Sequence, residues 1–341
     1  MTKSDGKGKK RDAVKKIRFN YFSPYLIDSE DEDAVVRWDM KELIEFFINH
    51  KHEELNTAVP LGDEIADMEW NTAHYDEDND IYYFQLSKNR SKDIPSKKKL
   101  NHDKVPLDLE DDEYIGEFNL LIYDAKYKLL VVQSNYYGLS TNQIQTALAI
   151  LRQRVKDASG ESEKNNPKGV NLEPLIDSSM ISKVKKHKIY RRISVKGSDF
   201  SFAAADDFKD NPINKAITEL KKISGVSFNI ELSMAREPKG KSLKAEPVRE
   251  LMDEVLALYN KDTDVSMNVT SRAEEDAALD FVNLIEPRLT SSIVMNVKNR
   301  TTIASESMYI NFCEQNYLTP SSNERNMRDK ASLISGSTSN S

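Results

Sequence analysis

One stretch constrains the fold more than any other part of the chain. Residues 118–148 read FNLLIYDAKYKLLVVQSNYYGLSTNQIQTAL, in which two β-prone runs are separated only by a short turn at 124–126. So short a connection predicts an antiparallel β-hairpin over residues 118–133. Ser140, with Gln143 three residues later, is typical of a capping box, so a helix is predicted to begin there.

The remainder of the first half also favours strands over helices. IRFNY at 17–21, EIADMEW at 64–70 and DIYYFQLS at 80–87 have the composition or alternation of strands, and a helix is predicted after Asp39. From residue 183 onward, predicted strands and helices alternate. We therefore predict an α+β fold, with a mixed, largely antiparallel sheet in the first half and alternating strands and helices in the second.

Composition divides the chain into five segments. Residues 1–14 are expected to form a flexible basic arm, because Gly, Lys and Ser dominate there. An α+β domain is predicted for residues 15–155, followed by a linker at 156–182, which lacks hydrophobic periodicity. A second α/β domain is predicted for 183–318, and a disordered tail for 319–341.

Charge and cysteine content limit the class of protein. The formal net charge is −7, which argues against binding nucleic acid over the whole surface but not against a local basic patch. Residues 3–18, for example, hold eight Lys or Arg against two Asp. Cys313 is the single cysteine, and no apolar run approaches the roughly 18 residues of a membrane span. We expect a cytoplasmic protein without membrane insertion.

One pair of carboxylates is a weak candidate for catalysis. Glu117 and Asp124 flank the first hairpin strand, where a metal-dependent nuclease would use acids to hold a divalent ion. The second strand ends in Gln-Ser-Asn at 133–135, which supplies neither the acid nor the lysine that such a site needs. A nuclease built on these two acids therefore stays an alternative hypothesis.

The sequence predicts neither a metal site nor a cofactor. The five histidines and one cysteine give no set of zinc ligands. Gly240-Lys241-Ser242 resembles the end of a phosphate-binding loop, but the first glycine of that motif is replaced by Ala235. Cys313 lies in an apolar helical segment, so we expect a buried structural thiol.

Binding is favoured over catalysis by two segments. The basic stretch at 183–196, KVKKHKIYRRISVK, combines cations that can pair with phosphates and an aromatic ring that can stack on a base. The polar segment after the second hairpin strand contains side chains that a hairpin alone does not require, and we call it the contact rim. The predicted nucleic-acid-binding residues are Lys183, Lys185, Lys186, Lys188, Tyr190, Arg191, Arg192 and Lys196, and the contact rim consists of Gln133, Asn135, Tyr136 and Tyr137.

Two segments also carry a family resemblance. Within 113–148, Gly116-Glu117 precedes a strand ending in Tyr123-Asp124, and a second strand ends in Gln-Ser-Asn before a small-residue turn and a Ser-capped helix. Within 279–312, an Asp-Leu-containing segment is followed by a strand, an arginine and a helix with Met. Together they resemble an uncharacterised bacterial and prophage family of unknown function. The resemblance implies a cytoplasmic bacterial protein, often encoded near mobile elements or phage-defence genes, and supplies no catalytic residue.

The leading prediction is therefore a non-enzymatic binding protein, an accessory or effector component of a phage-defence or mobile-element system. It would contact DNA or RNA through the basic stretch, or a partner protein through the contact rim. Two alternatives stay open, namely the metal-dependent nuclease and a purely protein-binding structural or inhibitor module.

Overall fold

The structure is a computed structural model in which the chain divides into two compact units. Unit 1 comprises Met1–Leu175 and Leu289–Ser341, and unit 2 comprises Ile176–Arg288. The residues that the structure describes are 13–28, 30–31, 34–51, 54–90, 92, 94–110, 113–198, 227–234, 240–259, 265–277, 279–297, 301–320 and 325–338. Most of the predicted basic arm and part of the Ala235–Ser242 segment lie outside them.

The described residues form strands and helices in both units. The strands are β1 (Ala13–Ile27), β2 (Val35–Arg37), β3 (Val59–Leu61), β4 (Glu64–Asp76), β5 (Ile81–Arg90), β6 (Lys97–Lys98), β7 (Lys104–Val105), β8 (Ile115–Asp124), β9 (Leu129–Ser134), β10 (Gly169–Pro174), β11 (Ile189–Ser198), β12 (Ser227–Ser233), β13 (Val265–Arg272), β14 (Asp280–Asn283) and β15 (Thr290–Val297). The helices are α1 (Lys41–Asn49), α2 (Thr141–Ala158), α3 (Ser179–Lys185), α4 (Ala245–Tyr259), α5 (Ser305–Phe312) and α6 (Met327–Thr338), with a π-helical turn at Cys313–Tyr317.

Unit 1 is built on a nine-stranded antiparallel sheet in which β1 pairs with four other strands, β2, β9, β10 and β15. Phe22 of β1 is paired both with Leu130 of β9 and with Pro174 of β10, so these two strands lie on opposite edges of β1. The first half of β1 also pairs antiparallel with β15. The sheet continues from β9 through β8, β5 and β4 to β3. This confirms the predicted α+β fold with a largely antiparallel sheet.

Helices cover the unit 1 sheet on both faces. Because successive strand residues point to opposite faces, Leu121 and Tyr123 of β8 enter one core with α1 and α2. Leu120 and Ile122 enter a second core with α5, the π-helical turn and α6. Burial on both faces explains why β8 and β9 read as nearly continuous apolar runs.

The predicted hairpin and the helix after it are both confirmed. β8 and β9 pair from Asp124–Leu129 to Leu121–Val132. The Ser140 side chain accepts a hydrogen bond from the Gln143 backbone N–H, and the Gln143 side chain accepts one from the Ser140 N–H. The capping box thus starts α2 directly after the contact rim.

The linker predicted at 156–182 is wrong. α2 extends to Ala158, and β10 pairs antiparallel with β1. Val170 and Leu172 are buried in the core beneath α2. Two alternating apolar residues give too short a pattern to reveal a strand whose partner lies near the beginning of the chain.

The predicted domain boundaries at the C-terminal end also need correction. β15 and α5 belong to unit 1, although the second domain was predicted to reach residue 318. The predicted disordered tail contains α6, whose Ala331 is fully buried. This helix has low hydrophobicity and is held by long-range contacts that local composition does not indicate.

Unit 2 is a four-stranded antiparallel sheet in the order β12-β11-β13-β14. Its core joins Val184 of α3 and Leu251 and Val255 of α4 to β11, β13 and β14. The unit therefore combines strands and helices as predicted for the second half. Within the described part of the chain, no helix is long and apolar enough to cross a membrane.

Candidate functional site

The contact rim lies where β8 and β9 diverge. Their last regular pair on this side is Leu121 with Val132, so the preceding backbone groups of β8 need other partners. The Gln133 Oε1 atom accepts a hydrogen bond from the Leu120 N–H at 2.9 Å. The Asn119 Nδ2 atom donates to the Gln133 carbonyl oxygen at 3.0 Å. Two amide side chains thus bond β8 to β9 beyond the last pair of backbone residues.

The same amides fix the turn that follows β9. The Asn119 Oδ1 atom accepts from the Leu139 N–H at 2.7 Å. Asn135 donates through Nδ2 to the Phe118 carbonyl at 3.0 Å, and its Oδ1 accepts from the Tyr137 N–H at 3.3 Å. Residues 135–139, which we call the tyrosine turn, are therefore bonded to β8 on one side and followed by the capped start of α2.

Two aromatic rings project from this fixed turn. Tyr136 is 92% exposed to solvent and Tyr137 is 64% exposed. Their ring centroids are 5.1 Å apart and the rings are nearly perpendicular, at 88°. A tyrosine offers a flat apolar face and a hydroxyl group, and it is enriched at protein interfaces for that reason.

The contact rim therefore separates into two pairs of residues with different roles. Gln133 is 6% exposed, and both Gln133 and Asn135 hold the backbone. Tyr136 and Tyr137 have surfaces free to meet a partner. Sequence reasoning missed Asn119, although a polar residue inside the apolar run FNLLIYD was a signal that its amide is bonded within the fold.

The predicted carboxylate pair does not come together. Glu117 and Asp124 are seven residues apart on β8, which puts them on opposite faces and roughly 23 Å apart along the strand. Asp124 is fully buried and is paired with Arg328 Nε at 2.6 Å and the Tyr317 hydroxyl at 2.7 Å. Among the described residues there is also no group of three or more His, Cys, Asp or Glu able to hold a metal ion. This geometry does not support the nuclease hypothesis.

Acidic neighbours compensate much of the basic stretch in unit 2. Lys188 lies 2.6 Å from Glu274, and Arg192 lies 3.3 Å from Glu231. Further pairs join Lys183 to Asp280 and Lys185 to Asp253, and Arg191 donates to the Lys241 carbonyl. Cations already paired in this way attract phosphates less strongly than the sequence suggested.

Tyr190, the aromatic residue of that stretch, is not a surface residue. It is 0% exposed in the core of unit 2, and its hydroxyl donates to the Val184 carbonyl at 2.8 Å. A buried ring cannot stack on a base, so the predicted stacking role is incompatible with this fold. Lys186 and Lys196 are exposed, but Lys186 follows α3 and precedes β11, so it does not share a strand face with Tyr190.

Two other sequence candidates have structural roles. Ser242 accepts a hydrogen bond from the Tyr190 N–H at 2.8 Å and donates to the Leu243 carbonyl. Cys313 is buried, and burial raises the pKa of its thiol to about 12. At neutral pH this thiol is protonated, so it lacks the thiolate that a nucleophile requires.

The fold and the site define a class of protein, namely an α+β protein built on a large antiparallel sheet that carries an exposed tyrosine pair on a bonded turn. The chain belongs to a family of unknown function (DUF6731), whose family model matches residues 12–326. This match confirms the resemblance of residues 113–148 and 279–312 to a family of unknown function. A comparison with curated proteins finds no match.

Proposed function

We propose that this is a non-enzymatic binding protein that meets its partner through Tyr136 and Tyr137. The observation that carries the proposal is the combination of high exposure and a backbone held by hydrogen bonds. Tyr136 is 92% exposed, yet the turn that presents it is bonded to β8 and to the start of α2. A pre-ordered contact loses less conformational entropy on binding, which favours affinity.

Other exposed aromatic residues in the described part of the chain are less available. Tyr75 is 43% exposed and its ring stacks on Tyr82 at 4.4 Å. Phe281, in β14 of unit 2, is 55% exposed and Tyr114 is 41% exposed, both less than Tyr136 or Tyr137. Energetically dominant contacts in interfaces are enriched in Tyr and are concentrated in a few side chains. Tyr136 and Tyr137 are the pair that best fits this description.

The proposal keeps the cellular role predicted from the family resemblance. A binding component of a phage-defence or mobile-element system requires a contact surface, and the exposed tyrosine pair supports that role. A purely protein-binding structural or inhibitor module would use the same turn. The Asp124 carboxylate is already bonded to Tyr317 and Arg328, which weighs against the nuclease alternative.

Site-specific photo-crosslinking tests the proposal. A photoreactive phenylalanine derivative replaces Tyr136 in the full chain, expressed in the cells from which the gene comes, and the same derivative replaces Tyr75 in a control chain. We expect a discrete adduct from position 136 that position 75 does not give. Equal adduct patterns at the two positions, or no adduct at position 136, would contradict the proposal.

A further inference from the structure

We infer that the partner is a single-stranded nucleic acid, bound along a surface that runs from the beginning of β1 to Tyr136. This inference rests on the proposed role of the tyrosine turn and adds the chemistry of its ligand. Three observations carry it, namely an open sheet face, cations on that face that pair with no carboxylate of the described residues, and the position of Tyr136 beside it.

The first half of β1 and its partner β15 form a ribbon with one open face. Ile17 and Phe19 of β1 and Ile293 of β15 are buried in the second core of unit 1. The intervening side chains point the other way, where Val14 is 69% exposed and Val294 is 53% exposed. The face opposite the core is thus accessible along this ribbon.

The open face carries positive charge that has no acidic partner in the described part of the chain. Lys16 and Arg18 lie on it and are exposed. No carboxylate of the described residues forms an ion pair with either of them, whereas Lys188 and Arg192 in unit 2 are both paired. In the sequence, this strand continues a segment in which residues 3–18 hold eight Lys or Arg against two Asp. A basic N-terminal segment on a chain of net charge −7 is typical of contact with a nucleic acid.

The tyrosine turn begins directly after β9, the strand that pairs with β1 at this basic face. Arg18 is the register partner of Ser134 at the end of β9, and Tyr136 comes two residues after Ser134. Cations that contact the phosphates next to rings that stack on bases are the arrangement by which proteins bind single strands. The bases of a duplex are already stacked on one another, so they offer no free faces to a tyrosine. An acidic protein would match the charge too, and the experiments below distinguish it from a single strand.

Fluorescence anisotropy on the purified full chain tests this inference. The probes are labelled oligothymidylate and oligouridylate, with a duplex of equal length for comparison, titrated at increasing salt concentration. We expect at least one single strand to bind more tightly than the duplex. In the double variant Lys16→Ala, Arg18→Ala, the slope of log K against log salt should become shallower by about 1.4, because two phosphate contacts are lost.

Two further comparisons locate the surface. Tyr136→Ala should weaken binding roughly tenfold, and Tyr136→Phe should retain it, because stacking needs the ring and not the hydroxyl. The double variant Lys188→Ala, Arg192→Ala removes the same number of charges from the basic stretch of unit 2 and should bind like the parent chain. Since all these side chains are exposed or at the surface, unchanged melting temperatures should accompany each variant.

Several results would overturn the inference. They are no binding of either single strand at low salt, equally tight duplex binding, equal losses in the unit 2 control, or no loss on Tyr136→Ala. The crosslinking experiment separates this inference from the proposed function. Adducts at position 136 that a protease removes and a nuclease does not would keep the proposed function and contradict a nucleic-acid partner.

Discussion

Asn119 and Gly138 are in such close contact that a Cβ atom on residue 138 would lie 2.3 Å from the Asn119 Oδ1 atom. That oxygen accepts the Leu139 N–H, and the Asn119 side chain is 1% exposed. It cannot move away without breaking hydrogen bonds in a buried position. The shape of the tyrosine turn therefore depends on the absence of a side chain at position 138.

Gly138→Ala should destabilise the folded protein by about 1–3 kcal/mol, because the new methyl group displaces a buried, hydrogen-bonded amide. Urea unfolding measures the change. Gly336→Ala is the matched control, since a Cβ there meets nothing within 4 Å, and it should cause no loss of stability. Equal stability of the Gly138→Ala variant and the parent chain would show that the turn is more tolerant than its geometry indicates.

Features set by residues close together in the sequence were predicted, and features set by residues far apart in the sequence were not. The hairpin and the Ser140 capping box are set by residues a few positions apart, and both were predicted. β10 was missed because its partner, β1, lies far away in sequence. The same is true of Arg328, whose contact with Asp124 spans 204 residues and makes α6 part of the fold.

The candidate site was predictable only in part, for a related reason. Composition after a buried strand pointed to the contact rim, but it did not separate Gln133 and Asn135, which bond to β8, from the exposed tyrosines. The position of Tyr190 was missed because the composition of the basic stretch does not show which residues enter the core. In the structure β11 begins at Ile189, and its pairing with β13 shifts register between Tyr190 and Arg192.

The buried ion pair at Asp124 gives a second prediction. Asp124→Ala leaves the Arg328 guanidinium and the Tyr317 hydroxyl without their carboxylate, and should cost about 3–5 kcal/mol of unfolding free energy. Glu117→Ala, on the same strand but half-buried, should cost much less. A double variant with Arg328→Ala should lose less than the sum of the two single variants. Similar, small losses for Asp124→Ala and Glu117→Ala would contradict this description of the site.

His187 predicts a pH dependence of stability. Burial lowers its pKa below the ordinary value of 6.5, although Asp280, 3.7 Å from Nε2, opposes the shift and Lys183 adds to it. The unfolded chain therefore binds more protons at mildly acidic pH, so this residue's contribution is lost as the pH falls below about 6.5. The His187 Nδ1 atom lies 2.9 Å from the Ser271 hydroxyl oxygen. In the variant His187→Asn, the side-chain amide can keep this hydrogen bond.

Urea unfolding of the parent chain and of His187→Asn at neutral and mildly acidic pH measures this effect. The difference in stability between the two proteins should shrink or reverse as the pH falls, because only the parent takes up the extra proton on unfolding. A constant difference across this range would show that His187 titrates alike in the folded and unfolded chains.

The single cysteine gives a chemical test of the second core of unit 1. Because burial raises the thiol pKa of Cys313 to about 12, the folded chain should react only slowly with a disulfide reagent at mildly alkaline pH. The unfolded chain should react at once. The raised pKa also means that stability falls as the pH rises from about 9 toward 12. Rapid reaction of the folded chain would contradict the burial of the Cys313 thiol.

Protection of the tyrosine turn inside the cell is the most direct test of the proposed contact surface. Tyrosine nitration, quantified by mass spectrometry, compares Tyr136 and Tyr137 in the purified protein and in the cells that naturally contain it. We expect both residues to be modified several-fold less in the cells, with Tyr75 modified equally in the two samples. Equal modification of Tyr136 and Tyr137 in cells and in the purified protein would contradict their role as the contact surface.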